Sequence, residues 1–110
     1  MEQLAVEDLL PWCAEHAPGV TLLDVREPWE VAVAALNIDG VTTALIPMNE
    51  VPQRLAELDR TQLIVCLCHH GMRSAQVVAF LSRQGYPSVY NLAGGIDAWS
   101  LAIDPAVPRY

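Results

Sequence analysis

The chain has 110 residues, 53% of them hydrophobic, which suits one domain with a single core spanning 1–110. Six basic against thirteen acidic residues leave a net charge of −7, which argues against nucleic acid or an anionic membrane as partner. Three cysteines without framework spacing, no long apolar run and an N-terminus without a basic n-region lead to the expectation of a reducing, cytoplasmic setting.

Val6, Leu9, Leu10 and Cys13 share one face of a helix, although Pro11 inside the pattern is expected to break or shorten it. Cys13 on that face reads as a core residue. Ala17-Pro18-Gly19 is a turn, and Val20 to Val25 is a short apolar strand. Asp24 and Arg26 stand at its end, either as a local surface ion pair or as braces for a neighbouring loop. Pro28 suits the first turn of a helix running to about Ala35. Residues 41–46 are expected to be extended, and Asn49 to Leu58 helical with Val51, Leu55 and Leu58 inward.

Gln62 to Leu67 is a buried strand, and Ala75 to Gln84 a helix closed by Gly85. Between them lies Cys68-His69-His70-Gly71-Met72-Arg73-Ser74. A cysteine where a strand gives way to a helix meets unpaired backbone N–H groups and the positive end of a helix dipole. Arg73 adds a cation, so the position favours a thiolate, the nucleophilic form. The same donors suit an anionic substrate, and Gly71 leaves the cradle free of a side chain. A short strand from Pro87 to Tyr90, a Gly94-Gly95 loop and a short helix opened by residues 95–99 follow. Residues 101–110 hold two prolines and are expected to form an extended tail. Trp12, Trp29 and Trp99 read as core and rim. Strands alternating with helices in this order predict an α/β fold with a mostly parallel sheet covered on both faces.

Three separated motifs then carry a resemblance: Leu23-Asp24-Val25-Arg26-Glu27, the Cys68 to Ser74 loop, and Asn91-Leu92-Ala93-Gly94-Gly95-Ile96-Asp97-Ala98-Trp99. Together they resemble a single-domain rhodanese, a sulfurtransferase, from about residue 4 to 110. The resemblance implies a rhodanese-like three-layer domain with a central five-stranded sheet. It implies that Cys68 is catalytic, taking a sulfane sulfur from a small donor such as thiosulfate and passing it as a persulfide to cyanide, a thiol or a protein acceptor. His69, His70, Gly71, Met72, Arg73 and Ser74 would form the substrate-binding loop, with Asp24 and Arg26 supporting it. No cofactor is implied.

Two departures stand out. A His-Ile-Pro-Gly-Ala stretch common in relatives is replaced by Leu36-Asn37-Ile38-Asp39-Gly40-Val41, and His69 and His70 occupy positions often basic. Neutral histidines would hold a donor anion less strongly than arginine, so tighter binding is expected below about pH 6.5.

Other readings compete. A cysteine phosphatase of related fold has five residues between Cys and Arg, whereas here four lie between Cys68 and Arg73, a smaller cradle. A non-catalytic binding module is the main alternative, and loss of the cysteine would mark it. Metal binding is set aside, because Cys66, Cys68, His69 and His70 lack a second ligand pair. The physiological donor, acceptor and oligomeric state are not encoded in any motif.

Overall fold

The computed structural model describes residues 2–110. The elements run β1 (Glu2–Leu4), α1 (Val6–His16), β2 (Val20–Asp24), α2 (Pro28–Val33), β3 (Thr42–Leu45), a 3₁₀ segment (Met48–Glu57), β4 (Leu63–Leu67), α3 (Met72–Arg83), β5 (Val89–Leu92) and α4 (Gly95–Ala102). The five strands form one sheet in the order β1-β5-β4-β2-β3. Every pairing is parallel. This is the α/β architecture expected from the alternation of elements.

Side chains of successive strand residues divide between two cores. Val20, Leu22, Val65, Leu67 and Leu92 join α1 and α4 residues such as Leu9, Cys13, Ile96 and Trp99 on one face. Leu23, Ile64, Cys66 and Val89 join Val77, Val78 and Leu81 of α3, and Val51 of the 3₁₀ segment, on the other. β2 is buried at all five positions, as a central parallel strand requires.

Four local expectations are corrected. Pro11 lies inside α1 without ending it. The cost is a missing N–H and a clash with the preceding turn, about 3 kcal/mol in a helix interior. Burial of Val6, Leu9 and Cys13 outweighs it, at about 1.5–3 kcal/mol for a large apolar side chain. Leu10, placed on the same face by its spacing, is 45% exposed instead. The region after Pro47 is 3₁₀ with a non-helical Arg54, not an α-helix, in keeping with Pro52 lacking the N–H for an i−4 bond. The strand Glu2–Leu4 has too few residues to show a period, yet it pairs with Tyr90 to Leu92 along the sheet edge.

The fourth correction concerns the C-terminus. Residues 101–110 do not run out as an extended tail. Ser100 Oγ donates to the Val107 carbonyl at 2.5 Å, Arg109 Nε donates to Asp97 Oδ1 at 2.9 Å, and the chain folds back over the end of the sheet. The reason is a set of polar anchors at both ends of the proline-bearing segment. These anchors carry Tyr110 to the end of β4.

Candidate active site

Register places the motif residues together. Asp24 pairs with Leu67 across β2 and β4, and Cys66 with Asn91 across β4 and β5. Cys68, Arg26 and the Gly94-Gly95 turn therefore emerge at the same carboxyl edge of the sheet, where α/β folds bind ligands.

Helix α3 begins at Met72, three residues earlier than the apolar pattern indicates, so the loop proper is only Cys68 to Gly71. Gly71 has φ +97°, a left-handed conformation that non-glycine residues resist. This turns its N–H back to donate to Cys68 Sγ at 3.0 Å. Ser74, in the first turn of α3, is also buried. Its hydroxyl lies 3.3 Å from Cys68 Sγ and 2.5 Å from Asn91 Oδ1, so one proton serves two acceptors. Asn91 is oriented by donating through Nδ2 to the Gly71 carbonyl and to Gln3 Oε1, each at 3.1 Å.

Gly95 clamps the other side of the loop. A Cβ there would run into the carbonyl oxygens of Cys68 and His69. With only hydrogen present, the start of α4 comes close enough for the Ile96 and Asp97 N–H groups to donate to those same oxygens, at 3.0 and 3.1 Å. The loop carbonyls thus point at one helix N-terminus, while the sulfur lies by the N-terminus of another.

Cys68 is 1% exposed, at the base of a shallow cavity of about 200 Å³ that it lines with His69, His70, Met72 and Arg73. Met72 is 76% exposed at its rim. A larger hollow of about 270 Å³ between the 3₁₀ segment and α3 is lined by Met48, Val51, Pro52, Gln76, Val77, Phe80 and Arg83, and offers no nucleophile.

The chain matches the rhodanese-like domain over residues 9–102, most of its length. It belongs to the rhodanese-like family.

Its curated relatives fit that assignment. A protein of Allochromatium vinosum named sulfurtransferase is 40% identical over 81 residues, which covers 74% of this chain and 72% of that protein. The rhodanese-like/PpiC domain-containing protein 12 of Arabidopsis thaliana is 40% identical over 93 residues, and there the match covers 81% of this chain but only 30% of the plant protein. The crystal structure of a rhodanese-like domain protein from Staphylococcus aureus superposes with a TM-score of 0.75 at 30% identity, over 90% of this chain and 91% of that one.

Within this rhodanese-like domain, the charged residues form one connected network. Asp24 and Arg26 are not a surface pair: both are buried, with Arg26 Nη2 donating to Asp24 Oδ2 at 2.7 Å and Nε donating to Oδ1 at 2.9 Å. The Asp24 carboxylate is occupied by Arg26, so the connection to the loop runs onward through other residues. Arg26 Nη1 donates to the Tyr110 hydroxyl at 3.1 Å, and that hydroxyl donates to Glu30 Oε2 at 2.7 Å. Arg73 grips Glu30 with both terminal nitrogens, at 2.7 and 2.8 Å. The Arg73 cation expected to stand free beside the nucleophile is therefore neutralised by a buried carboxylate.

That pairing holds the Glu30 carboxyl down to about 2, against the opposing effect of burial and with help from Tyr110 and the Glu27 N–H. Glu30 in turn holds Arg73 above its ordinary range, and the Cys68 sulfur adds to this. Burial raises the Tyr110 phenol and so keeps its proton in place for Glu30. On the sulfur side, burial and then the neighbouring Cys68 push the Cys66 thiol up to about 12. Cys68 continues the strand's alternation and shares the Cys66 core, so the loop start keeps the register of β4. Cys66 stays a protonated core thiol. Burial likewise raises Cys13.

Sequence reading misses Glu30, Asn91 and Tyr110. Asn91 lies inside a motif it quotes, and Glu30 lies three residues after Glu27, the spacing by which an N-cap N–H reaches a carboxylate, here at 3.1 Å. Tyr110 carries no local signal, because its role depends on where the tail folds.

Proposed function

We propose that this domain is a sulfurtransferase that carries sulfane sulfur on Cys68. The thiolate attacks the outer sulfur of a donor such as thiosulfate, the S–S bond breaks, and sulfite leaves with the bonding electrons. Cyanide or a thiolate then attacks the terminal sulfur of the Cys68 persulfide, taking that sulfur and restoring the thiolate. The observation that carries this reading is the Cys68 sulfur at the base of a small cavity, held at 3.0 Å by the Gly71 N–H with the Ser74 hydroxyl at 3.3 Å. The N–H and hydroxyl stabilise negative charge on sulfur and cost no reorganisation. His69, His70, Met72 and Arg73 line the space a donor would enter, and Asp24 and Arg26 brace it through Tyr110 and Glu30. The relatives named sulfurtransferases support the reaction class.

The test is intact mass after brief incubation of reduced protein with thiosulfate, with mercaptopyruvate and polysulfide as further donors. A gain of one sulfur atom on the wild type, absent from Cys68→Ser and reversed by cyanide, is expected. Cys68→Ser should otherwise stay within about 0.5 kcal/mol of wild-type stability, since the change is nearly isosteric. No gain with any donor would leave a domain that only docks a partner. Turnover of a phosphate ester in place of sulfur would reverse the assignment.

A further inference from the structure

We propose that His69, His70 and Asp97 form a binding site for a divalent metal ion of the zinc class at the mouth of the Cys68 cavity. Each of the three offers one ligand atom, and these atoms lie within 4.8 Å of one another. Zinc bonds to nitrogen and oxygen of about 2.0–2.2 Å place tetrahedral ligands roughly 3.5 Å apart, so closure needs an approach of little more than 1 Å together with rotation of the His70 ring out of its stack on His69. The His70 side chain is 61% exposed and free to make it.

His69 is the observation that points to a ligand. Its Nε2 is buried and has no hydrogen-bond partner. The ring is stacked on the Tyr110 ring at 3.8 Å and on the His70 ring at 4.0 Å. A buried ring nitrogen left without a partner is costly, and coordination of an ion would satisfy it.

Asp97 has the same kind of outer support. Its Oδ1 accepts from Arg109 Nε at 2.9 Å, while Oδ2 lies 3.8 Å from His70 Nε2. Its own N–H donates to the His69 carbonyl, which ties α4 to the loop. Asp97 thus supplies from a distant element the further ligand whose absence from the local sequence set metal aside. Two neutral imidazoles and one carboxylate put a single negative charge against a dication. His69 and His70 also line the cavity of Cys68, so an ion held by them would obstruct the approach of a donor. This last consequence rests on the proposed sulfur transfer; the binding does not.

The experiment is equilibrium dialysis of the full chain carrying Cys68→Ser against zinc chloride in chelator-free buffer at neutral pH. One zinc per chain is expected, with affinity falling at least about tenfold in Cys68→Ser/Asp97→Asn and in Cys68→Ser/His70→Ala. Zinc should also shift the ring-proton resonances of His69 and His70 and leave those of His16 unchanged. In the otherwise wild-type chain, Asp97→Asn should resist inhibition by zinc, read as the ratio of its own turnover with and without the metal. Loss of binding in Cys68→Ser itself would assign the zinc to the thiolate alone and overturn the proposal. So would an Asp97→Asn variant that binds as its parent does, or histidine resonances that ignore the metal.

Discussion

Replacing Glu30 with glutamine isolates the charge at the centre of the network under the loop. The folded carboxyl sits at about 2 against an ordinary value of 4.5. A gap of that size corresponds to about 3 kcal/mol of stability at neutral pH. Glu30 is only 4% exposed, but Arg73 is 32% exposed, and solvent screening brings the figure to about 2–3 kcal/mol. The sign follows from the direction: a carboxyl held low in the fold contributes fully above the unfolded value, and the contribution disappears as pH falls from about 4.5 towards about 2. Urea unfolding followed by tryptophan fluorescence should therefore show Glu30→Gln weaker by about 2–3 kcal/mol at pH 7, with a melting temperature lower by roughly 10 °C. The difference should shrink steadily below about pH 4.5. A difference under about 0.5 kcal/mol at pH 7, or one as large in strong acid as at neutrality, would refute the reasoning.

Three further substitutions probe the frame. Tyr110→Phe keeps the ring on His69 but removes the hydroxyl that links Arg26 to Glu30, and should cost about 1–2 kcal/mol by urea midpoint, with Tyr110→Ala losing more. A Tyr110→Phe protein as stable as wild type would remove the phenol from the network. Gly95→Ala forces a methyl group onto the Cys68 and His69 carbonyls at a backbone φ of +64°, and should destabilise by more than about 2 kcal/mol while lowering sulfur transfer at least tenfold. Wild-type turnover there would show that the loop does not depend on the approach of α4. Pro11→Ala restores an N–H inside α1 and should stabilise by about 2 kcal/mol, the gain being trimmed by the freer unfolded chain. Thermal melts of the two proteins would decide it.

Local chemistry in the sequence determined much of this protein. The alternation of apolar runs and helical patterns specifies a parallel α/β sheet, because each element carries its own period. The Cys68 loop was legible for the same reason: a cysteine at a strand end, a glycine and a following helix are neighbours in the chain, and their meeting follows from backbone geometry. Cys13 and Cys66 also read correctly as core, since apolar surroundings on one face are visible in the spacing.

Tertiary structure alone decided who partners whom. Arg73 looked like a free cation until α2 brought Glu30 to it across 43 residues. Asp24 and Arg26 left two readings open, because whether a pair is buried depends on what covers it. Here the cover is Tyr110, 84 residues from Arg26, delivered by a tail whose local sequence suggested only extension. Pro11 survives in a helix, and three residues make an edge strand, because burial and pairing are energies of the assembled fold. Neither can be summed from a window of sequence shorter than the contacts that create them.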